Sequence, residues 1–165
     1  MSISLESINA SDADALHSLF LSIGMSNDPN TQNTLAFIKL FNSQTSIGRK
    51  LVMNGELVAG GQLTLQKAPY SAELGFWVHR AYHRHGYGYR VAAALLSLAF
   101  SEMKLHRVFA KTFSTNPGSL RILEKIGMKR EGVLRDAGFK DSLYCDEIYY
   151  GLLRNEWSPI AEWPR

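Results

Sequence analysis

Two glycines spaced by one residue, Gly86 and Gly88, lie within a segment of arginines, histidines and tyrosines at positions 79–90. No acidic residue occurs between Leu74 and Ser101, so the fixed charge around these glycines is positive. Glycines at the start of a helix let backbone N–H groups point at a ligand, and the helix dipole adds positive potential at the same place. The segment therefore predicts a site for a phosphate-bearing ligand.

Other interpretations of this segment stay open, because a Gly-x-Gly pair also occurs in ordinary turns. No Lys-Ser or Lys-Thr follows the glycines, which excludes a Walker loop, and Val91 replaces the third glycine of the dinucleotide-binding fingerprint. No cysteine or carboxylate joins His79, His83 and His85 within the loop, so solvated or anion-facing histidines are favoured over a metal site. The neighbouring tyrosines could stack on nucleic-acid bases, but no RNA-binding or helix-turn-helix motif accompanies them.

The glycine segment must be held between a strand and a helix, and the hydrophobic pattern predicts both. Residues 72–78 are predicted to form the strand. Residues 89–103 are apolar almost all round, which is typical of a helix buried on most faces. Further along, Asn116-Pro117 predicts a helix that begins with an N-cap side chain, and Gly127 is expected to end it.

The other elements follow from alternation, helical spacing and turn residues. Asn54-Gly55 is a strong hairpin signal between two strands. The predicted strands are 3–8, 47–53, 57–66, 107–113, a segment around Val133, and 146–153; the predicted helices are one from Ser11-Asp12 to Gly24 and one at 34–41; polar turns are predicted at 25–32, Ala68-Pro69 and the last hairpin. The order β-α-α-β-β-β-α-β-α-β-β indicates an α/β (α+β) protein with a mixed sheet and helices on both faces.

Length and composition limit the class of protein. The chain has 165 residues, 45% of them hydrophobic and 20% charged, which predicts one globular domain over residues 1–165. The net charge of +3 is small for a protein that binds nucleic acid through its phosphates. Cys145 is the only cysteine, so no intramolecular disulfide can form. With no signal-like N-terminus and no membrane-length apolar run, a cytoplasmic location is expected.

Several segments in a fixed order resemble a known family. Ala72-Glu73-Leu74-Gly75-Phe76-Trp77-Val78 precedes His83-Arg84-His85-Gly86-Tyr87-Gly88, and then come Asn116-Pro117-Gly118-Ser119, residues 121–128 and residues 150–157. This pattern resembles the Gcn5-related N-acetyltransferases (GNAT), and within them the branch that acetylates the N-termini of ribosomal proteins. The resemblance covers essentially the whole chain and is strong from Glu73 onward. It implies a single domain with a mostly antiparallel, seven-stranded mixed sheet flanked by about four helices.

The resemblance implies acetyl-CoA as cosubstrate, with its pyrophosphate on the glycine loop. Gly86 and Gly88 match the family's Gln/Arg-x-x-Gly-x-Gly/Ala pattern, whereas His83 and Arg84 depart from it at positions that bind mainly through the backbone. The strand that ends at Trp77-Val78 is expected to splay from its neighbour, so that its backbone pairs with the pantetheine arm and polarises the thioester carbonyl. The expected cofactor-binding residues are Trp77, Val78, His79, His83, Arg84, His85, Gly86, Tyr87, Gly88, Tyr89, Asn116 and Ser119.

Acetyl transfer to an amine needs a base for the amine proton and an acid for the leaving thiolate. Glu73 matches a carboxylate that the family often uses as the base, although a strand glutamate can also be a simple ion-pair partner. The tyrosine that many members use as the acid is absent, since Glu124 occupies its position. Ser119, which matches the serine proposed in the ribosomal branch, is the expected acid, with Tyr150 as the alternative.

The leading interpretation is an N-acetyltransferase in which a primary amine attacks acetyl-CoA directly in a ternary complex. The amine could belong to a protein N-terminus or to a small molecule, and residues 11–42 with the hairpin at 135–142 are expected to wall the acceptor cleft. The alternative is a non-catalytic acyl-CoA-binding or sensor module of the same fold. No metal and no membrane partner is expected, and the sequence leaves a homodimer open.

Overall fold

The computed structural model describes residues 3–25, 31–41, 43–67 and 70–159. Within these residues the chain forms seven strands and four α-helices. Their order is β1 (Ile3–Ser7), α1 (Ala13–Ser22), α2 (Gln32–Phe41), β2 (Ser46–Met53), β3 (Glu56–Leu65), β4 (Ser71–Val78), α3 (Tyr87–Ser97), β5 (Arg107–Phe113), α4 (Pro117–Lys125), β6 (Lys129–Lys140) and β7 (Leu143–Leu153).

The strands form one seven-stranded sheet in the order β1-β2-β3-β4-β5-β7-β6. Every neighbouring pair is antiparallel except β4 and β5, which run parallel. The predicted order of strands and helices is confirmed, as is the mixed and mostly antiparallel sheet.

Two hydrophobic clusters cover the two faces of the sheet. The larger one packs α3 and α4 against the sheet and includes Leu74, Val91, Leu95, Ala110 and Leu123. The smaller one packs α1 and α2 against the opposite face and includes Leu16, Phe20, Ile38, Phe41 and Trp77. Because strand side chains alternate between faces, odd and even positions of β4 serve different clusters.

Turn residues explain where the hairpins lie. Asn54 and Gly55 both have positive φ, 50° and 87°, as the tight turn between β2 and β3 requires. Asp141 and Ser142 also have positive φ, 52° and 63°, and form the tight turn between β6 and β7. Because this turn takes only two residues, both strands extend further into the last hairpin than its polar sequence suggests. The predicted turn at Ala68-Pro69 and most of the predicted loop at 25–32 lie outside the described residues.

The buried helix begins two residues earlier than predicted. Gly86 is its N-cap, with φ of +79°, and α3 starts at Tyr87 rather than Tyr89. After Ser97 the helix continues as a π-helical turn, Leu98–Glu102. In the part of the chain that the structure describes, no helix has both the length and the apolar character that a bilayer crossing needs.

Candidate active site

The central feature of the site is the place where the sheet opens. β4 and β5 share only three register pairs, Ser71 with Arg107, Ala72 with Val108 and Glu73 with Phe109. Both strands continue past the last pair, β4 to Val78 and β5 to Phe113. The two strands therefore splay apart beyond Glu73, which confirms the opening that the family resemblance implied.

The splay leaves backbone groups of β4 without a neighbouring strand. Across β3 and β4, Gln66 N–H donates to Ser71 C=O and His79 N–H donates to Val58 C=O, both at 2.9 Å. Hydrogen-bonded positions alternate in an antiparallel pair, so the odd residues of β4 bond to β3. It follows that the N–H and C=O groups of the even residues, Leu74, Phe76 and Val78, face the gap.

A cavity of about 320 Å³ occupies this opening. Its walls combine the diverging parts of β4 and β5 with the start of α4 and two more distant residues. The lining residues are Met25, Glu73, Leu74, Gly75, Phe76, Ala110, Lys111, Thr112, Phe113, Asn116, Ser119, Leu123 and Glu147. The cavity brings together three of the residues singled out from the sequence, Glu73, Asn116 and Ser119.

The cavity reaches from one face of the sheet to the other. Register places Glu73, Lys111, Phe113 and Glu147 on the same face of the sheet as α1 and α2. Residues 109, 111 and 113 of β5 share a face with Glu73, which pairs with Phe109, and with Glu147, which pairs with Phe113. Asn116 and Ser119 belong to α4, which packs on the opposite face. We call these two sides the carboxylate side and the α4 side.

Glu73 lies at the apex of the opening, on the carboxylate side. Its side chain is 30% exposed, and Oε1 is 3.6 Å from Lys111 Nζ. The pair is loose and partly solvated, so the carboxylate stays accessible from the cavity. This geometry suits a group that must accept a proton from a ligand.

Asn116 and Ser119 form the beginning of α4. Asn116 is the N-cap, and its Oδ1 accepts a hydrogen bond from Ser119 N–H at 3.2 Å, as the sequence predicted. Asn116 N–H in turn donates to Phe113 C=O at 2.9 Å, which ties the helix start to the end of β5. The capping interaction fixes Ser119 on the wall of the cavity.

Tyr150 is placed differently from the other candidate acid. It is 2% exposed, its hydroxyl donates to Glu124 Oε1 at 3.0 Å, and it is not among the described residues that line the cavity. Burial raises the pKa of the phenol, and the hydrogen bond to Glu124 raises it further. Glu124, which stands where many family members have a tyrosine, is thus the partner of a tyrosine from β7.

The glycine loop is built for close backbone approach. Arg84 and Gly86 both have positive φ, 66° and 79°, and no side chain caps the N-terminus of α3. A Cβ at Gly86 would meet nothing within 4 Å, so the loop is open to solvent at the helix start. At Gly88 a Cβ would lie 2.8 Å from Ile122 Cδ1, so this glycine lets α3 pack close to α4.

The three histidines of the loop bond to nearby backbone groups. His79 Nδ1 accepts from Ala81 N–H, His83 Nε2 lies 3.0 Å from Val78 O, and His85 Nδ1 lies 2.8 Å from His83 O. They stabilise the loop rather than converge on one point. Among the described residues, no three His, Cys, Asp or Glu side chains form a group that could hold a metal ion.

The side chains of three aromatic candidates, Trp77, Tyr87 and Tyr89, make their contacts elsewhere in the fold. Trp77 is odd-numbered in β4, so its backbone pairs with Gly60 of β3 and its ring lies among Phe20, Phe37 and Phe41. This corrects the expectation that the Trp77 backbone faces the gap; Phe76 and Val78 do so instead. The Tyr87 hydroxyl donates to Met53 Sδ, and the Tyr89 ring contacts Lys125 Nζ.

Sequence reasoning missed Lys111 and Glu147 as residues of the cavity. Alternation along β5 could have placed Lys111 on one face with Phe109 and Phe113, but not beside Glu73. Glu147 comes from β7, and its position depends on the pairing of β7 with β5. Two segments were expected to wall the acceptor cleft. Of the described part of residues 11–42, Met25 lines the cavity. The hairpin at 135–142 supplies no described lining residue, but its Gly138 lies against the ring of Phe113, which does line the cavity.

The chain is similar in sequence to known N-acetyltransferases. Residues 3–129 match the family model described as an acetyltransferase (GNAT) domain. The chain is 37% identical over 89 residues to the "Uncharacterized N-acetyltransferase YnaD" of Bacillus subtilis strain 168, covering 54% of this chain and 52% of the relative. It is 31% identical over 93 residues to the "Putative ribosomal N-acetyltransferase YdaF" of the same strain, covering 56% and 51%.

A solved structure extends the similarity over nearly the whole chain. The crystal structure of a GNAT-family acetyltransferase from Bacillus anthracis superposes with a TM-score of 0.75 at 26% identity, covering 94% of this chain and 97% of that one. By sequence, the chain spans about half the length of the curated relatives that it matches.

Proposed function

Because the chain belongs to the GNAT acetyltransferase family, we propose that it transfers the acetyl group of acetyl-CoA to a primary amine. The observation that carries the proposal is the through-sheet cavity, which has Glu73 on one side and Ser119 on the other. The amine nitrogen attacks the thioester carbon directly, so a C–N bond forms as the C–S bond breaks, and no covalent bond to the enzyme is needed. Cys145 is 7% exposed and takes no part.

Three neighbouring parts of the structure suit the parts of acetyl-CoA: the start of α3, the side of β4 that faces the gap, and the start of α4. The uncapped N-terminus of α3, with positive φ at Arg84 and Gly86, offers backbone N–H groups and positive potential to a pyrophosphate. Leu74 and Phe76 offer amide and carbonyl groups, and Val78 offers its amide, to an arm that lies along the gap as an added strand would; the Val78 carbonyl already bonds to His83. Asn116 and Ser119 follow on the α4 side. When bound, acetyl-CoA supplies the activated acyl group.

Glu73 is assigned the role of general base. An amine is mostly protonated at neutral pH and cannot attack until it loses a proton. Glu73 lies on the carboxylate side with 30% of its side chain exposed, so it can take that proton directly or through a water molecule.

Ser119 is assigned the role of general acid. Its place on the α4 side of the cavity puts its hydroxyl where it can donate a proton to the sulfur as the C–S bond breaks. Tyr150 is the weaker candidate because its hydroxyl is engaged by Glu124 and lies away from the cavity lining. The backbone N–H groups of β4 that face the gap would stabilise the negative charge on the carbonyl oxygen.

For the acceptor, we keep the two classes that the sequence left open, a protein N-terminus and a small amine. The similarity to YdaF, whose name refers to ribosomal N-acetylation, supports the first class. Nothing in the cavity excludes the second.

The deciding experiment mixes the purified chain with acetyl-CoA and a panel of amines and of peptides with free N-termini. Release of CoA thiol measures turnover, and mass spectrometry locates the acetyl group on the acceptor nitrogen. Amine-dependent CoA release that falls in the Glu73→Gln variant supports the proposal. Tight acetyl-CoA binding without turnover of any acceptor would instead support the binding or sensor module.

A further inference from the structure

Glu147 is a cavity carboxylate that the mechanism above does not use. It is half-buried on β7 and lines the cavity on the carboxylate side. Its Oε2 accepts a hydrogen bond from the Tyr149 hydroxyl at 3.3 Å. Among the described residues, no lysine, arginine or histidine lies within ion-pair distance of it. A cationic group of a ligand could form the ion pair that the described residues do not supply to this carboxylate.

The charges on this side of the cavity do not balance. Glu73 and Glu147 are negative, and the positive charge among the described lining residues is that of Lys111, whose Nζ is 3.6 Å from Glu73. One negative charge therefore remains, and it is located at Glu147. A ligand that carries a positive charge there would complete the site.

Register gives the separation of the two carboxylates. Glu73 is opposite Phe109 and Glu147 is opposite Phe113, so they are offset by four residues along β5, which is about 13 Å. They also lie on strands to either side of β5, about 10 Å apart across the sheet, and the two perpendicular offsets combine to about 16 Å between the backbones. A ligand whose amine is at Glu73 must therefore be long to place a second group at Glu147.

We propose that Glu147 binds a second positive charge of the acceptor, so that the preferred acceptor is an extended amine with a distal cation. This inference rests on the proposed acetyl transfer, since it assumes that the reacting amine is at Glu73. Lys111 opposes the same preference, because its charge repels a cation and attracts an anion. Glu147 thus favours an acceptor whose distal group is positive, and Lys111 favours one whose distal group is negative.

Three probes of equal chain length test the proposal: 1,8-diaminooctane, octylamine and 8-aminooctanoate, which end in a cation, a methyl group and an anion. Each is titrated by calorimetry into the complex of the full chain with CoA, in which no acetyl transfer can occur. The wild type is expected to bind the diamine at least about fivefold more tightly than octylamine, and octylamine more tightly than the amino acid.

The variants should change this order in opposite directions. Glu147→Gln is expected to bring the diamine and octylamine to similar affinities, whereas Lys111→Met should widen the gap between the diamine and the amino acid. Glu102→Gln, which removes an exposed carboxylate on the π-helical turn, is the matched control and should behave as the wild type. Parallel changes in both variants would indicate a merely structural role and overturn the proposal.

The outcome is independent of the turnover assay. If the wild type binds all three probes equally, or does not bind the diamine, the assignment of Glu147 fails even where acetyl transfer is observed. If charge discrimination is found but no amine is acetylated, the proposed function fails and Glu147 still binds a cation.

Discussion

Glu73 and Phe109 form the last register pair between β4 and β5, so the candidate base lies where the sheet stops being continuous. The next residues of β4 face open space on the side of β5. A ligand in the gap therefore lies beside Glu73 while the pairs before it hold the strand in place. The two sides of the cavity assign different tasks to Glu73 and Ser119, and each can be tested separately.

Glu73→Gln is expected to lower turnover at neutral pH by about a hundredfold, because the amide cannot accept the amine proton. Part of the activity should return as the pH rises and the amine loses its own proton. A pH–rate profile from about pH 6 to about pH 9 measures this, once an acceptor is known. Acetyl-CoA affinity serves as the control and should not change. Wild-type rates throughout would show that water or another residue is the base.

Ser119→Ala should also lower turnover, but without recovery at high pH, since the missing proton is needed by the leaving sulfur. Ser119→Thr keeps a hydroxyl and is expected to retain most of the activity. Both variants preserve the backbone N–H that donates to Asn116, so helix capping is unaffected. If Ala and Thr behave alike in kcat, the hydroxyl of residue 119 is not the acid, and Tyr150 becomes the candidate to examine.

Gly86→Asp should raise the Kd for acetyl-CoA at least about tenfold, or roughly 1.4 kcal/mol, because a negative charge then stands at the phosphate site. The matched control is Gly86→Asn, which has the same shape and also tolerates positive φ. A Cβ at this position has open space, so both variants should fold. Calorimetric titration compares them, and equal Kd values for Asp and Asn would remove the loop from the binding site.

Asn116→Ala should cost about 0.5–2 kcal/mol in the free energy of unfolding, as expected for loss of an N-cap. If Asn116 also contacts the pantetheine arm, the KM for acetyl-CoA rises as well. Asn116→Ser retains a capping oxygen and separates the two roles. Urea unfolding measures the first effect and steady-state kinetics the second. A loss of stability with an unaltered KM would leave Asn116 with capping alone.

The ion pair of Arg107 and Glu131 predicts a pH-dependent contribution to stability. Two hydrogen bonds from the guanidinium reach the carboxylate, one of them 2.7 Å long, and they lower the pKa of Glu131 below its usual value. The contribution is therefore complete above the unfolded pKa of about 4.3 and is lost as the pH falls through the lower folded value.

Glu131→Gln tests this sign. With about two-fifths of the Glu131 side chain exposed, the loss at neutral pH should be about 0.5–1 kcal/mol. Urea unfolding of wild type and variant is compared at neutral pH and at about pH 3, where the difference should shrink. A difference that stays constant would point to packing of this side chain against Gly151 rather than to charge.

The order of elements was predictable because the signals are local. The strand predicted at 72–78, the Asn54-Gly55 turn and the cap at Asn116 each depend on a few adjacent residues. The resemblance to the family added the opening of the sheet, which no local pattern encodes. The length of the last hairpin was underestimated because polar residues near its turn continue the strands, with both faces of β6 largely exposed.

The make-up of the site was less predictable, because it depends on register. Whether the backbone of Trp77 or of Phe76 faces the gap is decided by a shift of one residue against β3. Glu147 reaches the cavity only because β7 pairs with β5 at Phe113. Tyr149 shares the face of Glu147, whereas the next residue, Tyr150, lies on the opposite face, in the hydrophobic cluster that packs α3 and α4 against the sheet. These are long-range facts that a single sequence does not contain.

The small number of register pairs between β4 and β5 also affects how the protein unfolds locally. On one side β1 to β4 form an antiparallel ladder covered by α3, and on the other β5, β7 and β6 form a second ladder next to α4. In the described part of the chain, three register pairs are all that join the two ladders within the sheet, and parting this short parallel seam leaves both ladders intact. Native-state hydrogen exchange should therefore resolve two cooperative units that meet at this seam, and a ligand that bridges the seam should merge them into one.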